Sequence, residues 1–163
     1  MRVLIDILDP AQVHFFRFLI HRLKAEGHAV LVAARDKGIL LELLRRFGID
    51  YVCLSTMRPG LAVMGAELIQ RYVAFLRQIH RFRPDVMIGI TGVSIGLPGA
   101  LTGVPRIAVD LDERAHLQRL VSLPFASRIV VGSGYEGDPG ARGRQFEGVW
   151  VQAYVANQYF QPD

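Results

Sequence analysis

Three short stretches of this chain carry residues whose types suit chemistry. The first, "LDPAQVHFF", sets Asp9, Gln12 and His14 just behind an apolar run. A histidine titrates near neutral pH and can take a proton from a hydroxyl, so His14 is a candidate general base. It equally suits a partly buried helix residue with a satisfied ring. The second, "GITGVSIG", runs from Gly89 to Gly96 and turns into a helical pattern. Free amides at Gly92, Val93 and Ser94 would suit a phosphate or carboxylate. The stretch is neither a G-x-G-x-x-G fingerprint nor a P-loop, and its glycines also suit a tight turn with close helix packing. The third, "DLDERAH", follows another apolar run. A carboxylate at Asp110 would be buried there and needs a partner. Asp112 suits a helix N-cap and Glu113 the positive end of that helix. Asp112 and His116 can share a helix face. No ligand set converges here as a metal site requires.

These stretches are positioned by a regular alternation of apolar runs and helical patterns. Strands are expected over Arg2–Leu8, "HAVLVAA", "IDYVCL", "RPDVMIGI", "VPRIAVDL" and "ASRIVVGS". Helices are expected over Gln12–Glu26, Lys37–Phe47, a long segment reaching Phe82, Ser94–Thr102 and Glu113–Val121. The stretch "GYEGDPGARGRQFEG" reads as a loop, and "VWVQAYV" as a final strand or a turn. Alternation of this kind implies an α/β fold, a doubly wound, mostly parallel Rossmann-like sheet of order 3-2-1-4-5-6. Ligands of such sheets bind at the switch point between strands 1 and 4. That places the first two chemical stretches on opposite lips of one crevice. The expected division is a Rossmann-like domain over 1–134, then a loop and C-terminal segment over 135–163.

Bulk properties narrow the class. A chain of 163 residues suits one domain with a real core. Cys53 is the single cysteine, which excludes an internal disulfide and fits a reducing cytoplasm. The start of the chain lacks a secretory signal pattern, and no window reaches the length of an apolar spanning helix. The net charge of +4 comes mostly from scattered arginines, which suits anionic partners or ordinary surface charge; no nucleic-acid motif is present. Around Met57 to Arg83 an apolar loop precedes a helix bearing Arg71, Arg77, Arg81 and Arg83. That combination suits peripheral contact with the inner face of a membrane. It also suits a helix with Leu68, Tyr72, Phe75 and Ile79 packed inward and its arginines solvated.

The blocks "RVLIDILDPAQVHFFRFLI", "GHAVLVAARDKGILLELLRRFGIDY", "RFRPDVMIGITGVS" and "GVPRIAVDLDERAH" resemble, in order, the N-terminal half of the domain of unknown function 354 family. The resemblance runs from Arg2 to about Ser133 and continues faintly through "FEGVWVQAYVANQYFQPD". Pro10, His14, Phe15 and Phe16 match the family pattern, whereas Asp9, Gln12 and Ile90 stand where it carries histidines. That family looks like GT-B glycosyltransferases and UDP-N-acetylglucosamine 2-epimerases. The resemblance implies an acceptor-binding N-terminal domain of a GT-B glycosyltransferase-like protein, inactive without a nucleotide-sugar-binding C-terminal domain or partner subunit. Alternatives are a non-enzymatic interaction subunit, including a homo-oligomer, and half of a UDP-sugar 2-epimerase-like enzyme. It implies a catalytic set of His14 with Asp110 and Asp112. It implies acceptor or anion contacts from Asp9, Gln12, Gly92, Val93, Ser94 and Glu113. A nucleotide sugar is expected only with the second domain, and no cofactor on this domain alone.

Overall fold

Parallel strands buried on both faces are near-continuous apolar runs, and their crossovers are usually helices. The computed structural model describes residues 1–111 and 116–155. Its elements run β1 (Arg2–Ile7), α1 (Pro10–Ala25), β2 (Ala29–Asp36), α2 (Leu40–Arg46), β3 (Tyr51–Thr56), α3 (Leu61–Phe82) and β4 (Val86–Ile90). They continue through α4 (Val93–Thr102), β5 (Arg106–Val109), α5 (His116–Ser122), β6 (Arg128–Gly132), β7 (Gly143–Phe146) and α6 (Gln152–Val155). All strand pairs are parallel, in the order β3-β2-β1-β4-β5-β6-β7. The switch point therefore lies between β1 and β4.

Alternation along β1 divides the core. Val3, Ile5 and Ile7 join Val13, Phe16 and Ile20 of α1 and Leu40 and Leu44 of α2 on one face. Leu4 joins Phe75 and Ile79 of α3 and Ile95 of α4 on the other. Asp6 follows the same alternation, so a carboxylate points into the α3 face, where it is 2% exposed. Sequence order and this face assignment place the carboxyl ends of the strands, and the turns after them, at one rim.

The order over the first six strands is the expected one. The stretch expected to be a loop holds β7, which pairs with β6 from Ile129↔Gly143 to Gly132↔Phe146. "VWVQAYV" forms a turn and the short α6, not a strand. The reason β7 escapes the sequence pattern is its composition. "GRQF" sits at the sheet edge and is half exposed, so no apolar run marks it. The Trp150 ring packs on Phe146 at 4.6 Å and on Phe15 of α1 at 5.6 Å between centroids. A boundary after residue 134 therefore cuts through one packed sheet. No helix among the described residues is long and apolar enough to cross a membrane.

A chain ended after Gly134 loses the β7 ladder and the Phe15–Trp150–Phe146 cluster. It should unfold at a clearly lower urea concentration than the full chain when followed by circular dichroism. Equal midpoints would show that 135–155 is an appendage.

Candidate functional site

The two lips of the switch point are the β1–α1 turn and the β4–α4 turn. On the first, Asp9 is the N-cap of α1 in extended backbone, and Pro10 opens the helix. The Asp9 carboxylate accepts from the Ala11 amide at 3.1 Å and pairs with Lys37 at 2.5 Å. Lys37 holds the Asp9 carboxyl below the usual carboxylate range. Gln12 reaches back and accepts the Leu8 amide at 2.8 Å through Oε1. Both polar residues at this lip thus stitch the turn itself.

The second lip is bent more sharply. Thr91 has φ 55 and Gly92 has φ 80, two consecutive left-handed residues. Such a φ is unfavourable for a β-branched threonine, on the order of 1–3 kcal/mol for a strained position. The Gly92 amide bonds the Ile90 carbonyl at 2.6 Å, and Thr91 is tied to Val109 at 2.8 Å. The turn delivers α4 with glycine as its N-cap and no side-chain cap. The first amides of a helix have no intrahelical acceptor, so those of Val93 and Ser94 stand at this rim.

Behind both lips lies a buried polar network. The Arg71 guanidinium of α3 donates to Ser94 Oγ at 3.0 Å, Ser55 Oγ at 3.0 Å and the Ala34 carbonyl at 3.3 Å. It also pairs with Asp6, and both side chains are buried. Burial pushes the Asp6 carboxyl up, against the pull of Arg71 beside it. The Ser55 hydroxyl donates to Glu67 at 2.8 Å, and Glu67 takes a two-point pair from Arg35 at 2.7 and 2.5 Å. One chain of polar groups so joins β1, β2, β3, α3 and α4.

The expected set is only partly brought together. Asp9 and Gln12 share one lip, and Gly92, Val93 and Ser94 the other. His14 is turned elsewhere: its ring meets Phe47 edge-on at 5.4 Å, on the α2 side of α1. Sheet order puts α2 with β2, across β1 from β4. Burial, with Arg17 nearby, lowers the His14 pKa from its ordinary value, which favours the neutral ring. Asp110 does not support His14 either. Its fully buried carboxylate takes the Tyr135 hydroxyl at 2.6 Å and pairs with Arg119 at 3.0 Å. Asp112 and Glu113 lie outside the described residues. Arg71 is corrected most: it is 2% exposed instead of solvated. The α3 register contains the signal, since Glu67 and Arg71 fall at four-residue steps before the inward Phe75 and Ile79. Asp6 inside "VLIDI" is a second one, an acid within a strand that must be buried.

The family model described as Protein of unknown function (DUF354) matches residues 1–137. An uncharacterised protein of Methanocaldococcus jannaschii is 27% identical over 78% of this chain and 38% of its own length. A UDP-N-acetylglucosamine–N-acetylmuramyl-(pentapeptide) pyrophosphoryl-undecaprenol N-acetylglucosamine transferase of Burkholderia mallei is 32% identical over 68% of this chain and 33% of its own. Among solved structures, MurG of Acinetobacter baumannii superposes with a TM-score of 0.67 at 18% identity, over 91% of this chain and 40% of that one. A UDP-N-acetylglucosamine 2-epimerase superposes with a TM-score of 0.67 at 14% identity, over 99% and 53%. The fold is that of the N-terminal half of such GT-B proteins. The chain spans about a third of the curated relatives it matches.

Arg71→Met leaves Asp6 as a buried charge without its cation. Losing one partner of such a pair typically costs about 3–5 kcal/mol. Asp6→Leu combined with Arg71→Met should recover a large part of that loss in urea melts. Simple additivity of the two changes would show that the pair is not coupled.

Proposed function

The chain belongs to the family described as Protein of unknown function (DUF354), and from that premise we propose that it is the acceptor-side half of a GT-B-type glycosyltransferase. The observation that carries this reading is the switch point itself. A strained turn ending in uncapped amides of α4 faces a stitched turn opening α1, at the rim of a sheet shaped like a GT-B N-terminal half. The donor nucleotide sugar would sit on a second domain or subunit, and transfer would occur between the two. In that site the Val93 and Ser94 amides, set by the turn at Gly92, receive an anionic or hydroxyl group of the acceptor, and Asp9 and Gln12 shape the opposite lip. His14 and Asp112 are the candidates to take the acceptor proton as its oxygen attacks the anomeric carbon and the nucleotide leaves. His14 serves only if its ring leaves Phe47 when the second half closes.

The test pairs this chain with a donor-type Rossmann domain from its own locus. UDP-N-acetylglucosamine and mixed acceptor sugars are supplied, and UDP release is measured. Release should need both halves and an acceptor. Release by either half alone, or 2-epimer formation without an acceptor, would overturn the reading. Failure of the halves to associate in light scattering would do the same. Asn in place of His14 should abolish transfer if His14 is the base.

The same reading includes contact with a membrane surface. Val63, Met64, Ile69 and Val73 of α3 are 42–67% exposed, and Arg77 and Arg81 follow them on the exposed side. Apolar groups with flanking arginines suit an anionic lipid surface. The chain should sediment with phosphatidylglycerol vesicles and not with phosphatidylcholine vesicles, and Ile69→Asp should release it.

A further inference from the structure

A separate small cavity opens where β6 and β7 end. It holds about 140 Å³ and is walled by Leu111, Tyr135, Val149 and Trp150. At ~30 Å³ per water that is room for about four or five waters, or one six-membered ring. Its floor is bare backbone. A side chain at Gly132 would stand 2.9 Å from the Gly148 carbonyl and 3.5 Å from Trp150 Nε1. The indole N–H therefore lies beside this floor, and among the described residues no hydrogen bond engages it. Behind Tyr135 stands Asp110, fully buried, with Oδ2 taken by the tyrosine hydroxyl. Its other oxygen, Oδ1, has no hydrogen-bond partner among the described residues.

The wall chemistry selects a ligand class. Leu111 and Val149 offer apolar surface, Trp150 offers a donor, and Tyr135 with Asp110 offers a hydroxyl backed by a carboxylate. Among the described residues no lysine or arginine lines the cavity, and Arg119 is paired with that carboxylate. Among the described residues an anion finds no unengaged cation on these walls. A neutral ring with an apolar face and hydroxyl edges fits every wall. In the sheet, β6 lies two strands from β4. Neighbouring strands are ~4.8 Å apart, so the cavity is about 10 Å from the β4–α4 turn.

We infer that this cavity binds one neutral pyranose ring, the distal unit of an acceptor whose reacting end lies at the switch point. The distal-unit assignment rests on the acceptor reading above; the pyranose site does not. Trp150 is the single tryptophan of the chain, so its emission reports on this cavity alone. The full chain is titrated with methyl β-N-acetylglucosaminide and with methyl glucoside. A saturable change in emission is expected with at least one of them. Gly134 lines the cavity, its φ lies outside the left-handed region, and a Cβ there meets nothing within 4 Å. Gly134→Leu should therefore fold normally and lose the response. Tyr135→Phe should weaken it. No saturable change with either glycoside, or a response that survives Gly134→Leu, would overturn the site. A sugar response without two-half UDP release would keep the site and remove only its place in the acceptor. UDP release without a sugar response would remove the site and leave the acceptor reading standing.

Discussion

The rest of the fold depends on one guanidinium. Arg71 enters the core face that packs on Phe75 and Ile79, opposite an aspartate on the central strand. A pair so deep loses most of its hydration, and its attraction does not necessarily exceed that loss. What it does fix is geometry. The fork of Arg71 satisfies Asp6, Ser94, Ser55 and the Ala34 carbonyl only when α3 lies at one height across three strands. A slip of one turn would strand two charges in a dry interior. Apolar packing of Phe75 and Ile79 alone would discriminate far less sharply between such positions.

This constraint reaches the rim. Ser94 belongs to the first turn of α4, and Asp6 is two residues from the start of the β1–α1 turn. One side chain therefore references both lips of the switch point to the same helix. The strained Thr91 and the left-handed Gly92 are tolerable because their surroundings are held from both sides. Tyr72, one residue along α3, adds a bond to the Val93 carbonyl at 3.2 Å. The lips are preorganised by the interior, not by contacts across the crevice.

Sheet order was legible from the sequence because every central strand is a dense apolar run between helical patterns. β7 was not, since an edge strand with "GRQF" buries too little to leave a pattern. Arg71 departs from the solvated face that arginine type suggests because its four-residue spacing to Phe75 turns it inward. Lip positions were legible for Asp9, Gln12 and Gly92–Ser94, because topology alone puts loops after β1 and β4 at one rim. Side-chain direction was not. Nothing in "QVHFF" says that His14 will pack on Phe47 while Phe15 reaches Trp150.

Residue type therefore overstates how many groups are available for chemistry. Asp9 is already a cap and an ion-pair partner, Gln12 already closes a turn, and Asp110 already holds Tyr135 and Arg119. Engaged in this way, the Asp9 carboxylate is a poor proton acceptor, because Lys37 and the Ala11 amide favour its ionised form. Among the described residues, the groups at the switch point with unspent capacity are backbone amides, which bind and orient but do not move protons. A rim built like that supplies positioning. Under the proposed transferase reading, proton transfer would come from a side chain brought in when the crevice closes, or from the donor-side half.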